Sequence, residues 1–319
     1  MKAAIVHAFD QPPRYGDIEA PTAAPGEVLV RVRAAALSQL VRAQASGKHY
    51  SSGKQLPLVP GADGVGLLED GTRVYFCFPR APIGAMAEIV AVDARNCVPV
   101  PDEVDDLTAA AIANPGMSSW AALQERARFQ AGERVLVNGA AGASGRLAIQ
   151  VAKHLGASHV VATARNAAVE AELRGLGADD FICLDQPVEQ LTAVFREEIK
   201  GRGIDVVLDY LWGQPAACIL EALGGPGNGE AAPRVRFVNI GSIAGASIPM
   251  NPGVLRGSGL EMSGSGLGSI SNAGLAQVVG QLLQAIGSAG LRVEARAVPL
   301  AAVEATWGAS SAERVVFVV

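Results

Sequence analysis

The chain has no long basic run, no membrane-length apolar stretch and no paired cysteine motif. Its 319 residues carry a net charge of −5. Without clustered Lys and Arg there is no footprint for a nucleic-acid groove or an anionic membrane surface. The N-terminus, Met1 to Val6, turns polar too soon for a signal peptide, and no apolar run reaches spanning length. Cys77, Cys97, Cys183 and Cys218 lie far apart with no C-x-x-C pair, which points to free thiols in a reducing compartment. A cytoplasmic location is the expectation. The histidines (His7, His49, His154, His159) show no metal-ligand spacing.

What is present is compact and apolar: half of the residues are hydrophobic and 18% are charged. A chain of this length calls for two domains. The first hundred residues read as short strands with turns. Glu27 to Arg33 alternates with period two, as a half-buried strand does. Further strands are expected at 2–7, 64–68, 73–78 and 87–92. The character changes near residue 105, where a helix opens on acidic residues, and a second helix is expected at 118–128. Strands and helices then alternate, with strands at 134–138, 159–163, 180–184, 205–209, 234–240 and 260–265. Six strands with helical crossovers make a doubly wound parallel sheet. A helix at 273–288 and a last strand at 314–319 follow. The fold class is α/β.

The richest segment is Val135 to His154, an apolar strand running through a glycine turn into a helical pattern. The turn reads Ala140-x-Gly142-x-x-Gly145, with Gly139 just before it. A side chain missing at Gly142 lets backbone approach a pyrophosphate, and Gly145 lets helix and strand pack closely. Exposed N–H groups and the helix dipole then face the anion. Gly139, Ala141, Gly142, Ala143, Ser144 and Gly145 are therefore the expected phosphate-binding residues. A second apolar strand after the helix supplies the context this motif requires.

About 20 residues past the glycines, a dinucleotide fold that prefers NAD carries an acid for the ribose 2′-hydroxyl. Here the chain reads Thr163-Ala-Arg165-Asn166, with an arginine and no carboxylate. A guanidinium suits a 2′-phosphate, so NADPH is the expected cofactor. Ligands of open α/β sheets lie at the carboxyl ends of strands. That adds Asp209, Gly241, Ser242, Ile243, Ser265, Gly266 and Leu267 as expected contacts.

With these residues in view, the chain resembles the zinc-independent quinone oxidoreductase-like branch of the medium-chain dehydrogenase/reductase superfamily. The resemblance rests on Gly26 to Val32, on Val59-Pro-Gly-Ala-Asp-Gly-Val-Gly66, on Asn138 to Gly145, and on the strands Asp205–Asp209 and Phe237–Gly241. It implies a GroES-like β-rich catalytic domain from residues 1–115, completed by 267–319, and a Rossmann domain over 116–266. It also implies a homodimer paired through the edge strand 260–265.

The resemblance further locates the positions where zinc-dependent relatives hold their metal. Here they are Ser38, Ala62 and Pro115, so no metal is expected. Without a Lewis acid the acceptor must already be electrophilic, which suits quinones and activated α,β-unsaturated carbonyls. Ser38, Tyr50 and Asn114 are the candidate catalytic groups, with a loop hydroxyl, a half-buried aromatic and a helix cap as their plain alternatives. Asp63 is read as a turn or salt-bridge residue before a general acid, and Arg314 stands where the family often has a lysine. Two other readings stay open: a metal-free enoyl-thioester reductase, and an NADPH-binding sensor without turnover.

Overall fold

The computed structural model describes residues 1–49, 52–225, 230–309 and 313–319. Tyr50 lies outside them. Contacts divide the chain into two units, Met1–Asn114 with Ser271–Val319, and Pro115–Ile270.

The first unit is built on antiparallel strands. β1 (Lys2–Ile5) pairs with β2 (Arg14–Asp17). β3 (Glu27–Ala36) is the spine of the larger sheet, and its period-two pattern buries Val30, Val32 and Ala34 while the intervening arginines face out. Ser38, just past this strand, caps α1 (Gln39–Ala45), its hydroxyl accepting from the Val41 N–H at 3.1 Å. β4 (Asp63–Leu67), β5 (Arg73–Cys77), β6 (Ile89–Asp93) and β7 (Cys97–Pro99) follow. β4 and β6 both pair with β3, and β5 lies between β4 and β7. Phe76, Met86, Val90 and Phe317 are fully buried in the core of this unit. Each such side chain contributes about 1.5–3 kcal/mol by leaving water.

The two helices expected around 105–128 are one. α2 (Asp106–Ala121) continues through Pro115 and closes in a π turn over Ala122–Ala127. Proline removes one ladder bond; one turn further on, Ser118 and Ser119 donate their hydroxyls to the carbonyls of Pro115 and Gly116. Arg128, in the left-handed region at φ 51°, ends the element.

The second unit alternates strand and helix. β8 (Arg134–Asn138), α3 (Ala143–His154), β9 (His159–Ala164), α4 (Glu170–Gly175) and β10 (Asp180–Cys183) make its first half. α5 (Val188–Arg196), β11 (Val206–Asp209), α6 (Gly213–Leu223), β12 (Arg234–Asn239), α7 (Pro252–Gly257) and β13 (Gly259–Gly264) make its second. All six strands are parallel, in the order β10-β9-β8-β11-β12-β13. Helical crossovers cover both faces, so β8 reads as an unbroken apolar run with Val135, Leu136 and Val137 each fully buried. The order reverses beside β8, which is the topological switch point of the sheet.

The chain then returns to the first unit with α8 (Asn272–Ala289), β14 (Ala295–Pro299), α9 (Val303–Trp307) and β15 (Arg314–Val318). β15 is inserted between β14, which it parallels, and β3, which it opposes. No helix among the described residues is long and apolar enough to cross a membrane.

Candidate cofactor site and polar cluster

The glycine turn sits where the sequence places it, between β8 and α3. Gly139 has φ +96°, and a Cβ there would lie 2.7 Å from the Leu211 side chain. Gly145 is tighter: its Cβ would lie 2.4 Å from the Gly139 carbonyl oxygen and 2.5 Å from the Ala140 Cα. Glycine at these two positions lets the helix begin against the turn. Gly142 is exposed, with open space where a side chain would stand. No side chain caps the first turn of α3, so its N–H groups are open to an anion. Arg146 does not serve that anion; it makes a bidentate pair with Glu172 at 2.6 and 2.8 Å.

Arg165 follows β9 and is exposed. It lines a cavity of about 540 Å³ together with Leu184, Asp185, Gln186, Pro187, Gln214, Pro215 and Ala244. None of the ion pairs among the described residues engages its guanidinium; only its carbonyl is used, accepting from the Cys183 thiol at 3.3 Å. An unpaired cation facing a cavity at the carboxyl end of the sheet has the chemistry for a phosphate.

The remaining expected contacts also lie beyond the carboxyl ends of strands. Gly241, Ser242 and Ile243 follow β12, and Ser265, Gly266 and Leu267 follow β13. Ser242 and Ile243 are exposed, while Ser265 is buried and donates its N–H to the Asn239 carbonyl at 2.8 Å. The Gly266 N–H is taken by Ser269 Oγ at 2.9 Å.

Asp209 departs from the expectation of a direct cofactor contact. It is fully buried at the end of β11. Its Oδ1 accepts from Asn138 Nδ2 at 2.8 Å and from the N–H groups of Leu211 and Trp212 at 3.1 Å each. Its Oδ2 accepts from Asn239 Nδ2 at 2.9 Å. Burial raises its pKa, against the opposing effect of these donors. Asn138, Thr163 and Asn239 belong to this constellation and were not singled out from the sequence. The available signal is a polar residue closing an apolar run, as in Val135-Leu-Val-Asn138 and Phe237-Val-Asn239.

The first unit holds a polar cluster of its own. Asp63, only 2% exposed, accepts from the Tyr75 hydroxyl at 2.8 Å and from Asn114 Nδ2 at 3.0 Å. Asn114 is thus a partner of Asp63 rather than a helix cap. Burial raises the pKa of Asp63, opposed by the hydrogen bonds and by the charge of Arg314. Burial in turn lowers the pKa of Arg314, whose Nε has no hydrogen-bond partner among the described residues. Ser38 spends a lone pair on α1, which makes it first of all a cap.

For metals, the donor set at the three positions indicated by the resemblance is a hydroxyl, a methyl group and a proline ring, which does not suit zinc. Among the described residues one group could gather around an ion, His159, Asp180 and Glu198. It lies at the amino-terminal ends of the strands, away from the glycine turn at the carboxyl end of β8. Arg202 already bridges its carboxylates at 3.3 Å each, and Arg134 lies 3.5 Å from Glu198. This is an ion-pair network.

Comparison with known proteins agrees with the fold. The profile of the zinc-binding dehydrogenase family matches residues 143–285. The Emericella nidulans protein named "probable NADPH-dependent quinone reductase tdiC" is 31% identical over 278 residues, covering 76% of either chain. A mycocerosic acid synthase-like polyketide synthase of Mycobacterium tuberculosis is 34% identical over 180 residues, 56% of this chain but 8% of that protein. The quinone oxidoreductase of Thermus thermophilus, solved alone and with NADPH, superposes over the full length of both chains at a TM-score of 0.78 and 28% identity. The chain therefore belongs to the quinone-oxidoreductase-like branch of the medium-chain dehydrogenase/reductase superfamily.

Proposed function

We propose that this protein is an NADPH-dependent oxidoreductase that reduces a quinone or an activated α,β-unsaturated carbonyl without a metal. The observation that carries the reading is the pairing, in one unit, of an uncapped helix start behind a bare glycine turn with a guanidinium at the end of the next strand that no described residue pairs. The turn, Gly139 to Gly145, holds the pyrophosphate, and Arg165 holds the 2′-phosphate. The residues beyond β12 and β13, Gly241 to Ile243 and Ser265 to Leu267, face the ribose and nicotinamide. Bound NADPH supplies the hydride. The protein's share is orientation and exclusion of water.

A donor set unsuited to zinc removes Lewis-acid polarisation, so the substrate has to be conjugated and electron-poor. Ser38, Tyr50 and Asn114 are the groups proposed to meet it. Ser38 and Tyr50 each have a hydroxyl proton to offer; the Asn114 amide already donates to Asp63. The names of the Emericella and Thermus relatives support the quinone. The polyketide synthase relative supports an enoyl thioester as the second reading.

The test is oxidation of NADPH followed by absorbance, with benzoquinone or phenanthrenequinone and with a panel of enoyl thioesters. Turnover of the quinones and not of the thioesters is the expected result. Turnover of thioesters alone selects the second reading, and binding of NADPH without any turnover selects a sensor.

β13 is an edge of its sheet, with Met262 exposed on it and Leu255 exposed on α7 just before it. Pairing of this edge with a second copy gives a homodimer, and a monomer mass by light scattering at micromolar concentration would contradict it. The free cysteines suit a cytoplasmic setting.

A further inference from the structure

The carboxyl ends of four neighbouring strands carry a row of polar residues in register. Thr163 of β9, Asn138 of β8, Asp209 of β11 and Asn239 of β12 are successive Cα partners. Residues opposite one another in adjacent strands share a face, so the four side chains stand side by side. They are linked throughout. The Thr163 hydroxyl donates to Asn138 Oδ1 at 2.9 Å, Asn138 Nδ2 donates to Asp209 Oδ1 at 2.8 Å, and Asn239 Nδ2 donates to Asp209 Oδ2 at 2.9 Å.

Three members of the row also hold a turn beyond the sheet. Thr163 Oγ1 accepts from the Gly139 N–H at 3.0 Å. Asp209 accepts from the N–H groups of Leu211 and Trp212. Asn239 Nδ2 donates to the Gly241 carbonyl at 2.8 Å. The turns in addition touch each other. The Leu211 side chain occupies the space beside Gly139, and the Tyr210 carbonyl lies where a Cβ on Gly241 would be, 2.6 Å away. Trp212 is held at φ 55° and ψ −154°, a backbone state that non-glycine residues keep only where their surroundings fix it. The two N–H bonds to the Asp209 carboxylate are that fixing contact.

A row serving stability alone has no need of a buried charge; apolar residues fill the rest of these strands and would cost less to bury. What apolar residues cannot do is accept N–H groups from one turn while receiving the amides that organise two others. We propose that Asp209 is a positioning residue for the dinucleotide, acting through Asn138, Thr163 and Asn239 to set the glycine turn, the 210–213 turn and the Gly241 turn in one arrangement. This inference rests on the cofactor reading above.

The experiment compares dissociation constants of NADPH and NADH for the wild type, Asp209→Asn, Thr163→Val and Thr163→Ser. Asp209→Asn places an amide among donors, and is expected to weaken both cofactors about tenfold or more, with KM for the cofactor rising further than kcat falls. Thr163→Val removes the tie to Gly139 at nearly constant volume and is expected to weaken both cofactors about three- to tenfold. Thr163→Ser keeps the hydroxyl and should bind within about twofold of the wild type. An equal effect on both cofactors marks the shared turn; an effect confined to NADPH would overturn the inference. So would a cooperatively melting Asp209→Asn that binds within twofold of the wild type. If that variant does not fold, the same result for Thr163→Val overturns it. Failure of the wild type to bind either cofactor would instead sink the cofactor reading, before any variant is compared.

Discussion

Replacing Arg165 by alanine isolates the 2′-phosphate from everything else the cofactor touches. NADPH and NADH share the pyrophosphate, the adenine and the nicotinamide; only the phosphate on the ribose differs. Arg165 makes no ion pair among the described residues, so its removal leaves no buried partner unsatisfied and should not disturb folding. A hydrogen bond to a charged group contributes about 1.5–3 kcal/mol, roughly a ten- to hundredfold change in affinity. Arg165 is exposed, so salt screens the attraction and the lower end of that range is expected at physiological ionic strength. Asp185 lines the same cavity and repels a phosphate. Asp185→Asn should therefore strengthen NADPH binding by a few-fold and leave NADH unchanged. Calorimetric titration of both cofactors into both variants gives the ratio of dissociation constants directly. A ratio within twofold of the wild type for Arg165→Ala would refute the assignment, since no other difference between the ligands could hide the loss.

Gly145→Ala forces a methyl group into the backbone of Gly139 and Ala140, which cannot yield as a flexible side chain would. A destabilisation of about 1–3 kcal/mol or more is expected by urea unfolding, with loss of NADPH binding. Glu133→Ala leaves the buried guanidinium of Arg236 without the carboxylate now 2.5 Å away, and its Nε already has no partner among the described residues. A loss of about 3 kcal/mol in thermal or urea unfolding is expected, and a loss under 1 kcal/mol would show that the Ala127 carbonyl suffices. Burial pushes the Cys97 thiol up to about 11 and the Cys77 thiol further still. At pH 8 only about one Cys97 in a thousand is thiolate, so native-state alkylation should reach half-buried Cys183 first. Mass spectrometry finding Cys77 modified as fast would contradict the packing around it.

The Rossmann half of the chain was legible because its signals are local. Apolar runs, glycines at fixed offsets and helix periodicity are properties of short windows, and Arg165 lies within one such window of Gly145. The elements that escaped are of another kind. Arg14–Asp17 is a four-residue strand with mostly exposed side chains, and Cys97–Pro99 has three residues; neither is long enough to show alternation. The break expected between two helices near residue 118 is absent, because burial of the helix on both sides of Pro115, a tertiary effect, carries α2 past it. At the site, the glycine turn could be read directly, whereas the role of Asp209 could not. Its partners Asn138 and Asn239 lie 71 and 30 residues away, and only the parallel register makes them neighbours.

The insertion of β15 between β3 and β14 gives the two halves of this protein different histories on the ribosome. Every strand of the parallel sheet has been made once residue 270 has emerged, and that sheet can close at once. β6 covers β3 from Glu27 to Arg31 early, but the last three residues of that flank, Ala34 to Ala36, wait until residues 314–318 arrive to pair with them. Until then those three residues present unpaired backbone to the cell; the stretch is short, and exposed Arg33 stands directly before it, two features that limit pairing with another chain.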